Sequence, residues 1–159
     1  MHAPTTYAPR FLTAMLLLTT AATAQAPEKL TSESKRSTPA GATFTAPAGW
    51  TIRRAPSMIV LNPPETDSHI VIVDVRAADA NAAVTAAWST YRPDFKRPTK
   101  LVSPSPPRDG WDERKSFSYE TSPNERAVIA AMPRRAGSQW TVVLLDRTEP
   151  TFEKRFWPW

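Results

Sequence analysis

Cysteine is absent from the 159 residues. Disulfides are therefore excluded, as is the lipidated N-terminal cysteine of a lipoprotein, and any stability must come from packing. Histidine is nearly absent too: of two, only His69 lies beyond the first few residues, so a Ser-His-Asp triad would have to use it. No Lys-Thr-Gly or His-x-Gly element occurs anywhere. The longest apolar run, Phe11 to Ala24, is shorter than the roughly 20 residues that cross a bilayer as a helix.

What is present at the N-terminus is Arg10, that apolar run, and two small-residue cleavage patterns, Ala22-Thr23-Ala24 and Ala24-Gln25-Ala26. These are the parts of a secretory signal peptide over residues 1–24. Cleavage after Ala24 avoids leaving Pro27 as the first mature residue. Of the 20 Lys and Arg residues only Arg10 leaves with it, against 15 acidic residues, so the mature net charge is +4. The pI near 9.9 would suggest nucleic acid for a cytosolic chain. For an exported chain, periplasmic or secreted, a basic surface faces anionic envelope polymers or lipid headgroups instead, and no nucleic-acid partner is expected. With the signal cleaved, no stable membrane span is expected either.

Residues 25–41 are polar and aperiodic, which predicts a disordered leader. A single domain is expected over 42–159. Ala46-Pro47-Ala48-Gly49 reads as a turn, Trp50 to Arg53 and Ser57 to Leu61 as short strands, and Asn62-Pro63-Pro64 as a stop. His69 to Arg76 is β-branched on both faces, as a covered central strand is. Asp79 is a good N-cap, and Ala80, Ala83, Val84, Ala87, Trp88 and Tyr91 follow at helical spacing, so a helix is predicted from Asp79 to Tyr91. Residues 92–110 hold five prolines and read as a stiff, polyproline-like connector along one edge.

Trp111 to Arg147 predicts a three-stranded antiparallel meander. Its first strand, Trp111 to Glu120, is polar enough for an edge or a half-exposed strand, whereas Arg126 to Met132 and Trp140 to Leu145 are apolar on both faces. Glu149 to Phe156 would start a second helix, cut short at Trp157-Pro158-Trp159. The expected fold class is α+β: a mostly antiparallel sheet of five to seven strands, one long helix packed on it and a truncated C-terminal helix.

Few residues offer chemistry. Ser32-Glu33-Ser34-Lys35 matches the Ser-x-x-Lys pattern of serine acyl-transferring enzymes, but no helical periodicity follows it. Glu65, Asp67 and His69 alternate, with no second cluster to complete a metal site. Neither a catalytic set, a metal nor a cofactor is therefore expected. Arg53, Arg54, Lys96, Arg97, Arg134 and Arg135 form three basic pairs that could meet an anionic partner. Trp50, Trp88, Trp111 and Trp140 sit at core-facing phases and read as packing anchors.

Longer phrases carry a resemblance: Phe44-Thr45-Ala46-Pro47-Ala48-Gly49-Trp50, Asn62-Pro63-Pro64-Glu65-Thr66-Asp67-Ser68-His69-Ile70, Ala86-Ala87-Trp88, Pro106-Pro107-Arg108-Asp109-Gly110-Trp111, Tyr119-Glu120-Thr121-Ser122-Pro123-Asn124-Glu125-Arg126 and Phe152-Glu153-Lys154-Arg155. Together they resemble the N-terminal accessory region of exported bacterial serine hydrolases of the beta-lactamase (penicillin-binding-protein-like) family, with the catalytic domain absent. The element order also resembles PsbP-like domains, an analogy of fold that implies no chemistry. The resemblance implies a non-catalytic envelope module that binds or positions, its partner being a serine hydrolase catalytic domain encoded nearby. The alternatives are a free-standing periplasmic protein that binds an anionic glycan or lipid through its basic residues, and a hydrolase acting through an unrecognised site.

Overall fold

The computed structural model describes residues 26–64 and 68–148. In chain order they form β1 (Glu28–Lys29), β2 (Ser34–Ser37), β3 (Thr43–Ala46), β4 (Thr51–Ala55), β5 (Met58–Asn62), β6 (Ser68–Val75), α1 (Ala80–Tyr91), β7 (Thr99–Ser105), β8 (Glu113–Tyr119), β9 (Ala127–Ala136) and β10 (Gln139–Thr148). The class is α+β. Eight strands make one sheet in the order β1-β4-β5-β6-β10-β9-β8-β7, and β2 and β3 pair separately. Every pairing is antiparallel.

The apolar strands take the middle. β10 pairs with β6 along one edge and with β9 along the other, so its backbone donors and acceptors are consumed on both sides. Its side chains alternate between two cores. Trp140, Val142 and Leu144 point to the face covered by α1, where they meet Val71, Val73, Ile129 and Ala131. Val143 points to the opposite face, against Ile59, Leu61 and Ile72.

Helix α1 follows the predicted phase. The Asp79 carboxylate accepts from the Ala82 amide at 2.9 Å, satisfying an otherwise orphaned donor, and Ala80, Ala83, Val84, Ala87 and Trp88 are buried. Trp88 donates from Nε1 to the Tyr119 hydroxyl at 2.9 Å and stacks on Phe95 at 3.8 Å. Trp140 donates to the Ala77 carbonyl at 3.0 Å. Both indoles thus bury apolar area without stranding their N–H groups. Trp50 and Trp111, expected to be anchors of the same kind, are only half-buried.

Three expectations are corrected. The sheet has eight strands instead of five to seven. The stretch 25–41, expected to be a disordered leader, carries β1 and β2 in its described part, with Leu30 only 3% exposed in the second core. Backbone pairing orders this polar stretch: β2 lies along β3, and Arg36 reaches Glu28 at 2.8 Å. The supposed connector 92–110 contains β7, which pairs with β8 through an irregularity at Thr99 and Leu101. Pro104 is tolerated there because β7 is the outermost strand among the described residues, where a missing donor faces no described partner. Of the two readings of Trp111 to Glu120, β8 is the half-exposed strand and not the edge. The signal peptide and the segment from Glu149 lie outside the described residues.

The two faces are covered unequally. α1 lies over β6, β10 and β9 on one side. On the other, Ala46 and Phe44 of the β2–β3 hairpin pack on the second core, with β4, β5 and β6. Further along that second face Leu101 and Val128 are 60% and 55% exposed.

Unequal cover predicts unequal tolerance. Leu144→Ala, emptying a fully buried position, should cost about 2–5 kcal/mol in urea unfolding. Asp79→Ala should cost about 1 kcal/mol through the lost cap, and Leu101→Ala less than about 0.5 kcal/mol. A Leu101→Ala loss equal to that of Leu144→Ala would contradict the assignment of the core.

Candidate functional site: a cleft around Arg134

Adjacent strand residues point to opposite faces, and that rule disperses the three basic pairs. On β4, Arg53 is exposed and Arg54 half-buried, on opposite faces. Lys96 is exposed in the loop before β7. Arg97 places its two terminal nitrogens on Glu125 at 2.6 and 2.8 Å, a forked ion pair that uses up its charge. Arg135 is taken up at the turn after β9, where it meets Glu113 at 3.5 Å and Asp112 at 3.7 Å and lies 5.9 Å from the Trp140 ring. The three pairs sit on separate elements: β4, the loop before β7, and β9.

Arg134, like the half-buried Arg54 on β4, has no carboxylate partner among the described residues, and it differs from Arg54 in standing opposite a second arginine, Arg114. Arg134 is half-buried on the face away from α1, and among the described residues it makes no hydrogen bond or ion pair. Its register neighbours form a row across four strands: Asp74 opposite Thr141, Thr141 opposite Arg134, Arg134 opposite Arg114. Asp74 is the nearest acid in that row, two strand spacings or about 10 Å away. Its carboxylate is already engaged, accepting from the Thr141 hydroxyl at 2.8 Å and the Ala40 amide at 2.8 Å. Arg114, for its part, donates to the Pro106 carbonyl at 3.2 Å. Burial first, and then the like charge of Arg114, pull the Arg134 guanidinium below its ordinary value, while Asp109 acts in the opposite sense. The like charge of Arg114 outweighs the opposite charge of Asp109 at Arg134, so the site gains from an added anion.

Arg134 lines an open cleft of about 500 Å3. One wall is the turn before β3, residues 40–43, held down by the Asp74 contact to Ala40 and by Gly41 at φ 92°. The facing wall is Asp109-Gly110-Trp111. Arg108 and Trp111 exchange backbone hydrogen bonds at 3.0 and 3.3 Å around Asp109 (φ 56°) and Gly110 (φ 81°). That is a two-residue type I′ turn, which demands positive φ at both centres. Gln139 and Thr141 complete the lining, Gln139 anchored through its amide to the Val75 carbonyl at 2.9 Å. Sequence reasoning named Arg134 but missed Arg114, Trp111 and the turn as parts of one site. The Asp-Gly dipeptide was the available signal.

The other sequence candidates lie elsewhere. Ser32 is exposed at a bend and Lys35 is exposed on β2, so the Ser-x-x-Lys pattern does not open a helix. His69 Nδ1 lies 2.6 Å from the Asn62 amide oxygen, and Glu65 and Asp67 fall outside the described residues. Among the described residues no three His, Asp or Glu side chains gather as metal ligands, and no helix is long and apolar enough to cross a membrane. A second polar cluster lies at the end of α1. There buried Asp146 accepts from Arg92 at 2.8 Å, and burial together with the Asp146 charge pushes the Tyr91 phenol up to about 12.

The Arg97–Glu125 fork makes a pH prediction. Hydrogen bonding from Arg97 holds the Glu125 carboxyl below its ordinary 4.5. A lowered folded value means that the stabilisation is complete above about 4.5 and is lost as pH falls through that lowered value. The urea midpoint of the parent should exceed that of Glu125→Gln near neutrality, and the gap should close on acidification through the carboxylate range. A gap that is unchanged in acid would show that the fork does not supply it.

Comparison of the chain with protein-family models, with curated proteins and with solved structures finds no match, so its activity has to be argued from its own residues.

Proposed function

We propose that this chain is a non-catalytic envelope module that holds an anionic partner in the cleft around Arg134, in the accessory role that its sequence resemblance implies. One observation carries the reading: a half-buried guanidinium that makes no ion pair among the described residues, beside a second arginine, at a solvent-open cleft. A guanidinium has a planar fork of donors that an oxyanion satisfies in pairs. Taking it partly out of water without such a partner is costly, and a ligand oxyanion recovers that cost on binding. The exported location expected from the signal peptide would put the cleft where carboxylate-bearing and phosphate-bearing envelope polymers are.

The arrangement suits holding better than turnover. Arg134 does not change charge near neutral pH, so it can orient an oxyanion but is no acid or base. The acid lining the cleft, Asp109, sits on an exposed turn and pairs with Arg108 at 3.2 Å.

Sedimentation with purified peptidoglycan tests the proposal. The mature chain should co-sediment, release as salt rises, and bind about tenfold more weakly or worse after Arg134→Gln, the usual scale for a lost charge-assisted contact. Lys96→Gln, an exposed site apart from the cleft, should change retention less than about twofold. Equal retention of Arg134→Gln and parent would refute the site. Hydrolysis of a chromogenic ester or β-lactam, abolished by Ser32→Ala, would overturn the non-catalytic reading.

A further inference from the structure

The cleft has more to recognise with than one charge. Its volume, about 500 Å3, falls within the roughly 300–1,000 Å3 of small-molecule sites and far exceeds what a bare anion fills. The lining supplies one cation, Arg134, and one acid, Asp109, so the net charge at the wall is near zero. Beyond those come neutral polar groups. Thr43 offers an exposed hydroxyl, and Gln139, with its amide nitrogen committed to backbone carbonyls, keeps its amide oxygen as an acceptor. Trp111 also lines the cleft and is half-buried, its backbone fixed by the exchange with Arg108.

We infer that the occupant of this cleft is an acidic sugar unit, a pyranose that carries a carboxylate, within a carbohydrate chain. The inference rests on the anion-binding reading given above and narrows it. A pyranose presents a flat face of C–H groups for an indole, hydroxyls for Gln139 and Thr43, and in its acidic form one carboxylate for the Arg134 fork. A phosphate dianion fits less well, because a single guanidinium lines the cleft and Asp109 opposes a second negative charge. A lipid surface fits less well again. The large exposed apolar side chains Leu101, Val102 and Val128, which could enter a bilayer, lie outside the cleft. The walls come from three separate chain stretches, 40–43, 109–111 and 134–141, and the cleft is open to solvent, so a sugar unit inside a longer chain can enter it.

The test titrates the mature chain with a galacturonate trimer, its fully methyl-esterified form, inorganic phosphate, and vesicles containing phosphatidylglycerol, followed by tryptophan fluorescence and calorimetry. The acidic trimer should bind. Esterification, or Arg134→Gln, should weaken it about tenfold or more, and Arg134→Lys, which keeps the charge but loses the fork, by less. Trp111→Ala should weaken the trimer and remove most of the fluorescence change. Asp109→Asn should tighten it about twofold to fivefold, and it keeps the turn because Asn also adopts positive φ. Equal binding of acid and ester would overturn the inference. Arg134-dependent binding of phosphate or vesicles without binding of the trimer would overturn the sugar while leaving the anion site standing. If no probe binds in an Arg134-dependent way, the site and the sugar both fall. Unfolding curves that match the parent's separate these losses from misfolding.

Discussion

A strand paired along both edges and packed on both faces is the constraint on which this molecule depends. β10 has β6 on one side and β9 on the other, with Trp140, Val142 and Leu144 in one core and Val143 in the other. The rest of the chain serves to finish what β10 begins. α1 supplies cover for one face, and its small alanines at 80, 83 and 87 let it approach the sheet closely. The β2–β3 hairpin covers only part of the other face, and the cleft forms where that cover stops. Site and fold are therefore one problem: the hairpin turn that Asp74 pins down is a wall of the cleft.

Charge compensation, together with the register that sets Arg114 opposite Arg134, picks out the site within that frame. Arg36, Arg92, Arg97 and Arg135 each have a carboxylate within 3.5 Å or less. Arg134 has none among the described residues, and the one acid in its row, Asp74, is taken by Thr141 and Ala40. Paired arginines on a surface contribute little to stability and are common. An unpaired one, half-buried beside a like charge, weakens the fold slightly, and such a cost is explained when a ligand removes it.

Much of the fold could be read from residue order. The 3.6-residue spacing from Ala80 to Tyr91 and the Asp79 cap gave α1, and the β-branched run after His69 gave a central strand. The parts that escaped share a physical cause. β1, β2 and β7 are held largely by backbone pairing, which leaves almost no trace in polarity patterns. β7 even contains a proline, permissible because no described strand pairs beyond it. The site was half legible for a related reason. Arg134 and Arg135 are adjacent, so the pleat sends them to opposite faces. Which of the two finds a carboxylate depends on β8, where Glu113 lies opposite Arg135 and Arg114 opposite Arg134. A count of basic pairs cannot show that.

The central claim is that Arg134, which forms no ion pair among the described residues, takes up a ligand's oxyanion. The direct measurement is the side-chain Nε–Hε resonance of each arginine, followed by NMR as the galacturonate trimer is added. The account predicts that the Arg134 signal shifts and sharpens at saturation, while Arg97, already forked onto Glu125, stays where it was. An Arg134 signal that moves no more than that of Arg97 would contradict it.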